Sequence, residues 1–439
     1  MWFWGIISGL WFGRTQKTVK NPKRPFQVGN IVSVIVGVVA IGLSCFFAYQ
    51  AEKSTKRVES LVEAGLYPAN EEFAKDMDLD ISKIEDPLIF ARICIANKKG
   101  DRKGLKSRLE EYLEIAPESG YPYWLIGKYY SDGDTTINDN PDSAISYYSK
   151  AIDFMDYNHP AKPSAFNNRG IEKGKSDKYT PLDQIVDYNE AMKLKPKYAM
   201  AFANRGVAKG NSEKYTTEDQ IADYDTAIVF FGKDNPEAAY ALYDRGVAKA
   251  KLGRYEDAIA DYDRAIELKP DYAKAFNNRG SSKDKLMRYE EAIADFDRAI
   301  ELKPDFAEAF YNRGVVKGKL KRYEEAIADY DDAIRLNPNF AEAFNNRGVA
   351  KDELEQYEEA IADYDRAIEL KPGYTEAFVN RGAAKYNLER YEDAIADYDR
   401  AIELKPDFVE AIHNLKLAKR KLEEQIETNP SGGGDSSEE

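Results

Sequence analysis

The side chains that could carry out chemistry are few and far apart. The chain has two histidines, His159 and His413, and two cysteines, Cys45 and Cys94. Neither histidine belongs to a metal-spaced or triad-like cluster, so both are expected at the surface. Cys45 lies in an apolar run, which argues against an intramolecular disulfide and leaves the redox compartment unread. Asp132, Asp134, Asn138 and Asp139 fall close enough together to invite a calcium ion. The stretch lacks the glycine and the distal glutamate of a calcium loop, so it reads as an Asx-rich turn. There is no Gly-rich phosphate loop, no nucleophile with a base at workable spacing and no non-repeat region of catalytic-domain size. The expectation is a non-enzyme with no metal, cofactor or small-molecule substrate.

The charged pair that the chain does repeat is an arginine followed by an aspartate: Arg279 with Asp295, Arg313 with Asp329, Arg347 with Asp363. These pairs ride on a strict period. The stretch from Ala341 to Tyr374, AEAFNNRGVAKDELEQYEEAIADYDRAIELKPGY, is one of five 34-residue copies; the others start at Ala239, Ala273, Ala307 and Thr375 and align without a gap. Such a period means that each unit is one supersecondary element, unable to bury its apolar face except by stacking on its neighbours. Apolar positions recur at three and four residues, as in helices. Phe310, Gly314 and Lys317 share a face of a first helix (A), while Ala326, Tyr330 and Ala333 share a face of a second (B). Small Gly314 and Ala326 let the two axes approach, and Pro338 turns the chain into the next unit. Arginine at the seventh position and aspartate at the twenty-third appear together in seven units and vanish together in the unit from 120, which has Ile126 and Tyr147. That covariation predicts an ion pair between helices A and B rather than a polybasic ligand stripe.

Phe344, Gly348, Ala360, Tyr364, Ala367 and Pro372 stand where the tetratricopeptide repeat has its aromatic, small and proline positions, and each unit resembles that repeat. The resemblance implies an all-α, right-handed α-solenoid whose inner groove is lined mainly by A helices. It also implies that the fifth, ninth, twelfth and thirteenth positions, and often the second, face that groove. On this basis the candidate partner-binding residues are Tyr243, Lys251, Asn277, Asn278, Lys285, Tyr311, Asn312, Lys319, Asn345, Asn346 and Asn380. An asparagine amide in the groove can donate to and accept from an extended peptide backbone at once; a hydrogen bond to a neighbouring helix is the equal alternative. Some relatives clamp a C-terminal carboxylate with lysine at the fifth position and asparagine at the ninth. Here the ninth positions are Val247, Ser281, Val315, Val349 and Ala383, and no lysine stands at the fifth, which argues against that clamp.

Around this block the chain divides as follows. Residues 1–30 are a Trp-rich interfacial segment and a basic linker, with Trp2, Trp4 and Trp11 at headgroup level. Residues 31–51 are a transmembrane helix: Ile31–Tyr49 has no charge in nineteen residues, long enough for most of a hydrocarbon core. A cleaved signal peptide fits less well, because its basic region would be long and no clean cleavage site follows. Residues 52–85 are a stalk, 86–119 a degenerate repeat-like unit, and 120–238 three units with inserted turns. The regular block 239–408 is followed by a capping helix, 409–427, and a disordered acidic tail, 428–439.

Five basic residues precede the span against Lys53, Lys56 and Arg57 after it. This bias puts the N-terminus in the cytoplasm and the repeats outside it, as for a bacterial inner-membrane protein; repeats facing the cytosol are the alternative. The net charge of −14, with the first thirty residues basic, makes the repeat region strongly acidic and argues against nucleic acid as its partner. The expected function is a membrane-anchored scaffold that binds an extended peptide or partner helix. A self-assembling spacer at the cell envelope is the rival, against which the polar capping helix argues.

Overall fold

The computed structural model describes residues 102–131 and 140–428. The Trp-rich segment, the expected membrane span, the stalk, the start of the degenerate unit, the Asx-rich turn and the tail from residue 429 lie outside the described residues. Within them there are eighteen α-helices and no strand. No helix among the described residues is long and apolar enough to cross a membrane. The chain forms two compact units that divide after Leu194.

The first unit contains α1 (Arg102–Ile115), α2 (Gly120–Ser131), α3 (Pro141–Phe154), α4 (Lys162–Lys175) and α5 (Pro181–Leu194). Its core gathers Leu109 and Tyr112 of α1, Tyr123 and Ile126 of α2, and Ala151 and Ile152 of α3. Thus the degenerate unit's second helix, α1, is a packed element.

The second unit begins with the hairpin α6 (Ala199–Gly210) and α7 (Thr217–Phe231). Phe230 folds back onto Phe202, ring centroids 5.4 Å apart, and Phe231 packs under the next hairpin. The five regular hairpins follow: α8 (Ala238–Lys251) with α9 (Tyr255–Leu268), α10 (Ala273–Lys285) with α11 (Tyr289–Leu302), and α12 (Ala307–Lys319) with α13 (Tyr323–Leu336). Then come α14 (Ala341–Asp352) with α15 (Tyr357–Leu370) and α16 (Thr375–Asn387) with α17 (Tyr391–Leu404), closed by α18 (Val409–Thr428). The last helix takes in Thr428, one residue beyond its expected end, because the Thr428 hydroxyl donates to the carbonyls of Glu424 and Gln425.

Each B helix is written in strong helix formers, with acidic residues such as Glu324 and Glu325 in the first turn, where the helix dipole favours them. Its buried face in α13 is Ala326, Asp329, Tyr330 and Ala333. Gly314 of α12 meets this face so closely that an added Cβ would lie 2.8 Å from Tyr330 Cε1. The A-to-B turn is a Schellman closure: Lys321 has φ 59° and the Arg322 amide donates to the Lys317 carbonyl. Met287, Glu355 and Glu389 hold the same left-handed position; in the first regular unit it is Gly253. The next unit starts where Asn337, extended at ψ 90°, precedes Pro338.

Candidate functional site

The regular units bring their repeated charges together along the inter-helix seam. Arg313 Nε donates to Asp329 Oδ2 at 3.0 Å, and its Nη2 donates to Oδ1, so the guanidinium grips the carboxylate with two parallel bonds. Arg279 holds Asp295 and Arg347 holds Asp363 in the same way, each with Nε at 2.9 Å. The aspartates are buried. Two further partners escaped the sequence reading. Lysine at the eleventh position joins the same carboxylate: Lys317 Nζ lies 2.9 Å from Asp329 and Lys351 lies 2.7 Å from Asp363. The arginine's Nη1 also reaches back to the preceding B helix, from Arg279 to Asp263, Arg313 to Asp297 and Arg347 to Asp331. Each arginine therefore ties three helices, two of its own hairpin and one of the hairpin before. Burial works against the charge on Arg313, but hydrogen bonds to Asp329 and Asp297 outweigh it and raise its pKa.

The unit from 120 fills the same places without charge. Ile126 is fully buried, and Tyr130, in the lysine's place, stacks on Tyr147, in the aspartate's place, at 5.6 Å. At the other end Leu415 of α18 stands where the arginine would be, and the ladder ends. Lysine at the eleventh position was visible in the sequence as a repeated letter; its carboxylate partner was not, because the arginine already accounted for that aspartate.

A second ladder runs along the A helices through the candidate partner-binding residues. Asn278 Nδ2 donates to the Tyr243 hydroxyl at 3.0 Å, Asn277 Nδ2 donates to Asn278 Oδ1, and Asn312 Nδ2 donates to Asn277 Oδ1 at 3.0 Å. The motif recurs two units on, with Asn346 on Tyr311, Asn345 on Asn346, and Asn380 on Asn345. In the first four regular units tyrosine and asparagine alternate at the fifth position, where a hydroxyl accepts from the next unit, while an amide both accepts and passes a donor on; the last has Val379. The amides expected to hold a peptide backbone thus join adjacent repeats. Lys319 is likewise engaged, with Asp284, whereas Lys251 and Lys285 are exposed.

Asp244 and Asp352 fall outside both ladders. Asp244 takes the sixth position, where the other regular units have asparagine. Burial pushes its carboxyl up to about 6, and the charge of Lys274 only partly offsets this. Asp352, at the C-terminus of α14, is also pushed up to about 6, by burial first and by neighbouring Glu353 second. Its Oδ1 is buried with no hydrogen-bond partner among the described residues.

Between α14, α16 and α18 lies a cavity of about 510 Å³, bordered by Asn345, Lys371, Tyr374, Glu376, Val379 and Glu410. Its lining comes from the second, fifth and sixth positions of A helices and from the ends of the connecting turns. His159 is engaged in a turn, its Nδ1 accepting from the Ala161 amide, and His413 is exposed. Among the described residues no group of three or more histidine, cysteine or acidic side chains is placed to hold a metal ion.

Hairpins stacked by small residues, with uniform seams and varied A-helix positions, define a helical repeat protein. Residues 239–272, 307–340, 341–374 and 375–408 match the profile of the tetratricopeptide repeat family. A second profile, described as TPR repeat, matches 288–321. Among solved structures, YrrB, described as a TPR protein with an unusual peptide-binding site, is 28% identical; the match covers 44% of this chain and 97% of that one, with a TM-score of 0.38. A tetratricopeptide repeat protein from Parabacteroides merdae is 19% identical over 58% of this chain and 98% of its own, TM-score 0.44. PilF of Pseudomonas aeruginosa is 20% identical over 49% and 95%, TM-score 0.43. No curated protein matches the chain.

Proposed function

We propose that the chain is a membrane-anchored scaffold whose A-helix face holds an extended peptide segment of a protein partner. Tetratricopeptide repeats serve generally as protein-interaction modules. The observation that carries the reading is the cavity of about 510 Å³ at the end of the regular block. It is bordered by exposed Lys371, Glu376 and Glu410, and the A-helix second position that supplies Glu376 and Glu410 changes from unit to unit, with Tyr240 and Lys274 earlier in the stack, while the seam residues do not change. A partner is recognised where the surface varies; the constant ionic seam keeps that surface rigid and lowers the ordering cost of binding.

The anchor rests on the uncharged run Ile31–Tyr49, and the flanking charges favour a cytoplasmic N-terminus with the repeats outside a bacterial inner membrane. Holding the repeats at a bilayer raises the local concentration of a partner there. A photo-cross-linking residue placed at exposed Glu376, on the cavity border, in the full chain is expected to capture the partner, and the same residue at Glu324, on an exposed B-helix surface, is not. Capture from Glu324 alone would overturn the groove reading. Extraction of the full chain from membranes by alkaline carbonate would overturn the anchor.

A further inference from the structure

Two of the five regular units carry an acid at the twelfth position, Asp284 and Asp352. The first shows what such a group takes as a partner. Lys319, at the thirteenth position of the following unit, donates from Nζ to Asp284 Oδ1 at 2.7 Å and to Oδ2 at 2.6 Å. Its ammonium also lies over the Tyr289 ring, 5.9 Å from the centroid. A cation seated this way is held by two charge-assisted bonds and an aromatic face.

The second acid holds the equivalent place in the stack without the lysine, with Glu353 in place of Lys285 beside it and Tyr386 in place of Gly318 in the following unit. The thirteenth position of its following unit is Asn387, at the exposed C-terminus of α16. Tyr357, which opens α15 as Tyr289 opens α11, packs against the same buried cluster as Leu388, the neighbour of Asn387. Asp352 Oδ1 is buried and without a hydrogen-bond partner among the described residues. Its acidic neighbour Glu353 is already engaged, accepting from the Tyr323 hydroxyl at 2.9 Å. An acidic side chain left in this state is destabilised until a cation reaches it.

Resting on the groove reading above, we propose that Asp352 receives a lysine side chain of the bound peptide, seated beside Tyr357 as Lys319 is seated on Asp284. The raised pKa of Asp352, from burial and then from Glu353, agrees with a carboxylate lacking its counter-charge. The strong net negative charge of the chain would also draw a basic segment toward it.

The test uses fluorescence anisotropy of labelled dodecapeptide pools, random except for one central residue fixed as lysine, norleucine or glutamate, titrated against the full chain. The lysine pool is expected to bind about tenfold more tightly than the norleucine pool, the effect of one well-placed charge-assisted contact. Asp352→Asn should remove that preference. So should Asn387→Lys, which offers the carboxylate an internal partner, and this variant should melt no lower than the parent. Binding of all pools without a lysine preference, survival of the preference in Asn387→Lys, or a lower melting temperature for that variant would each overturn the proposal while leaving the groove standing. Failure of every pool to bind the parent chain would overturn the groove reading, and this proposal with it.

Discussion

Removal of Arg313 gives the sharpest test of the ionic seam. Asp329 is 3% exposed and is held by Arg313 and by Lys317, the latter at 2.9 Å. Taking one partner from a buried ion pair costs roughly 3–5 kcal/mol, because the remaining charge is left in a poor solvent. Lys317 stays on the carboxylate in the Arg313→Met variant, and half-exposed Asp297 relaxes into water, so about 2–3 kcal/mol is expected. The methionine keeps part of the packing that Arg313 makes over the Phe310 ring at 5.5 Å. Asp329→Asn leaves Arg313 with Asp297 and Lys317 within 3.7 Å of Glu325, so it should cost less, about 1–2 kcal/mol.

The informative variant is the triple Arg313→Ile, Lys317→Tyr, Asp329→Tyr, which copies Ile126, Tyr130 and Tyr147 of the unit from 120. With no buried charge left unpaired, its cost should fall to about 1 kcal/mol or less, giving a coupling of about 2 kcal/mol or more. Stacked repeats need not unfold as one, so the assay is hydrogen exchange of the α12 and α13 amides in the full chain, alongside urea unfolding. Salt at 1 M should leave the coupling largely intact, since a buried pair is weakly screened. Singles that cost under about 0.5 kcal/mol, or coupling near zero, would refute the claim that this seam fastens neighbouring hairpins.

Three further outcomes follow from local geometry. Lys321→Gly should stabilise by about 0.5–1 kcal/mol, since φ 59° penalises a side chain, while Gly253→Lys should lose about 1 kcal/mol; urea midpoints of the two variants check the pair. Gly348→Ala would place a Cβ 2.7 Å from Tyr364 Cε1 and should cost about 1–3 kcal/mol, read from the loss of amide protection in α14 and α15. Asp244 has a folded pKa of about 6, above its ordinary value of 3.8, so its ionised form is disfavoured in the folded state. Its penalty is full above about pH 6 and fades as pH falls toward 4, up to roughly 3 kcal/mol. Asp244→Asn should therefore stabilise at pH 7 and lose most of that gain near pH 4.5, as followed by melting temperature across pH.

How the repeats stack was written plainly in the letters. Gly348, Ala360, Tyr364 and Pro372 recur because each is the residue that a close helix crossing, a ring pocket or a turn requires, and such local demands show as period. The covariation of Arg313 with Asp329 was legible for the same reason. The left-handed turn residue was not: four of five regular units place methionine, lysine or glutamate there, so composition conceals the conformation. Nor was the part of the asparagines legible, since Asn312 and Asn380 look like ligand-ready amides until the fifth-position acceptor of the preceding unit is seen beside them.

The sequence by itself determined the repeat, its helices, its packing residues and the acidic character of its surface, because these depend on neighbours within one period. Which polar groups are already satisfied was decided by the tertiary structure. Partners 35 residues apart, such as Lys319 with Asp284, meet across two A helices, and nothing in their local spacing distinguishes them from Asn387 and Asp352, where the lysine is missing. A hydrogen bond between adjacent repeats is a property of the stack, so a carboxylate oxygen left without a partner, as on Asp352, becomes visible when the hairpins are set side by side.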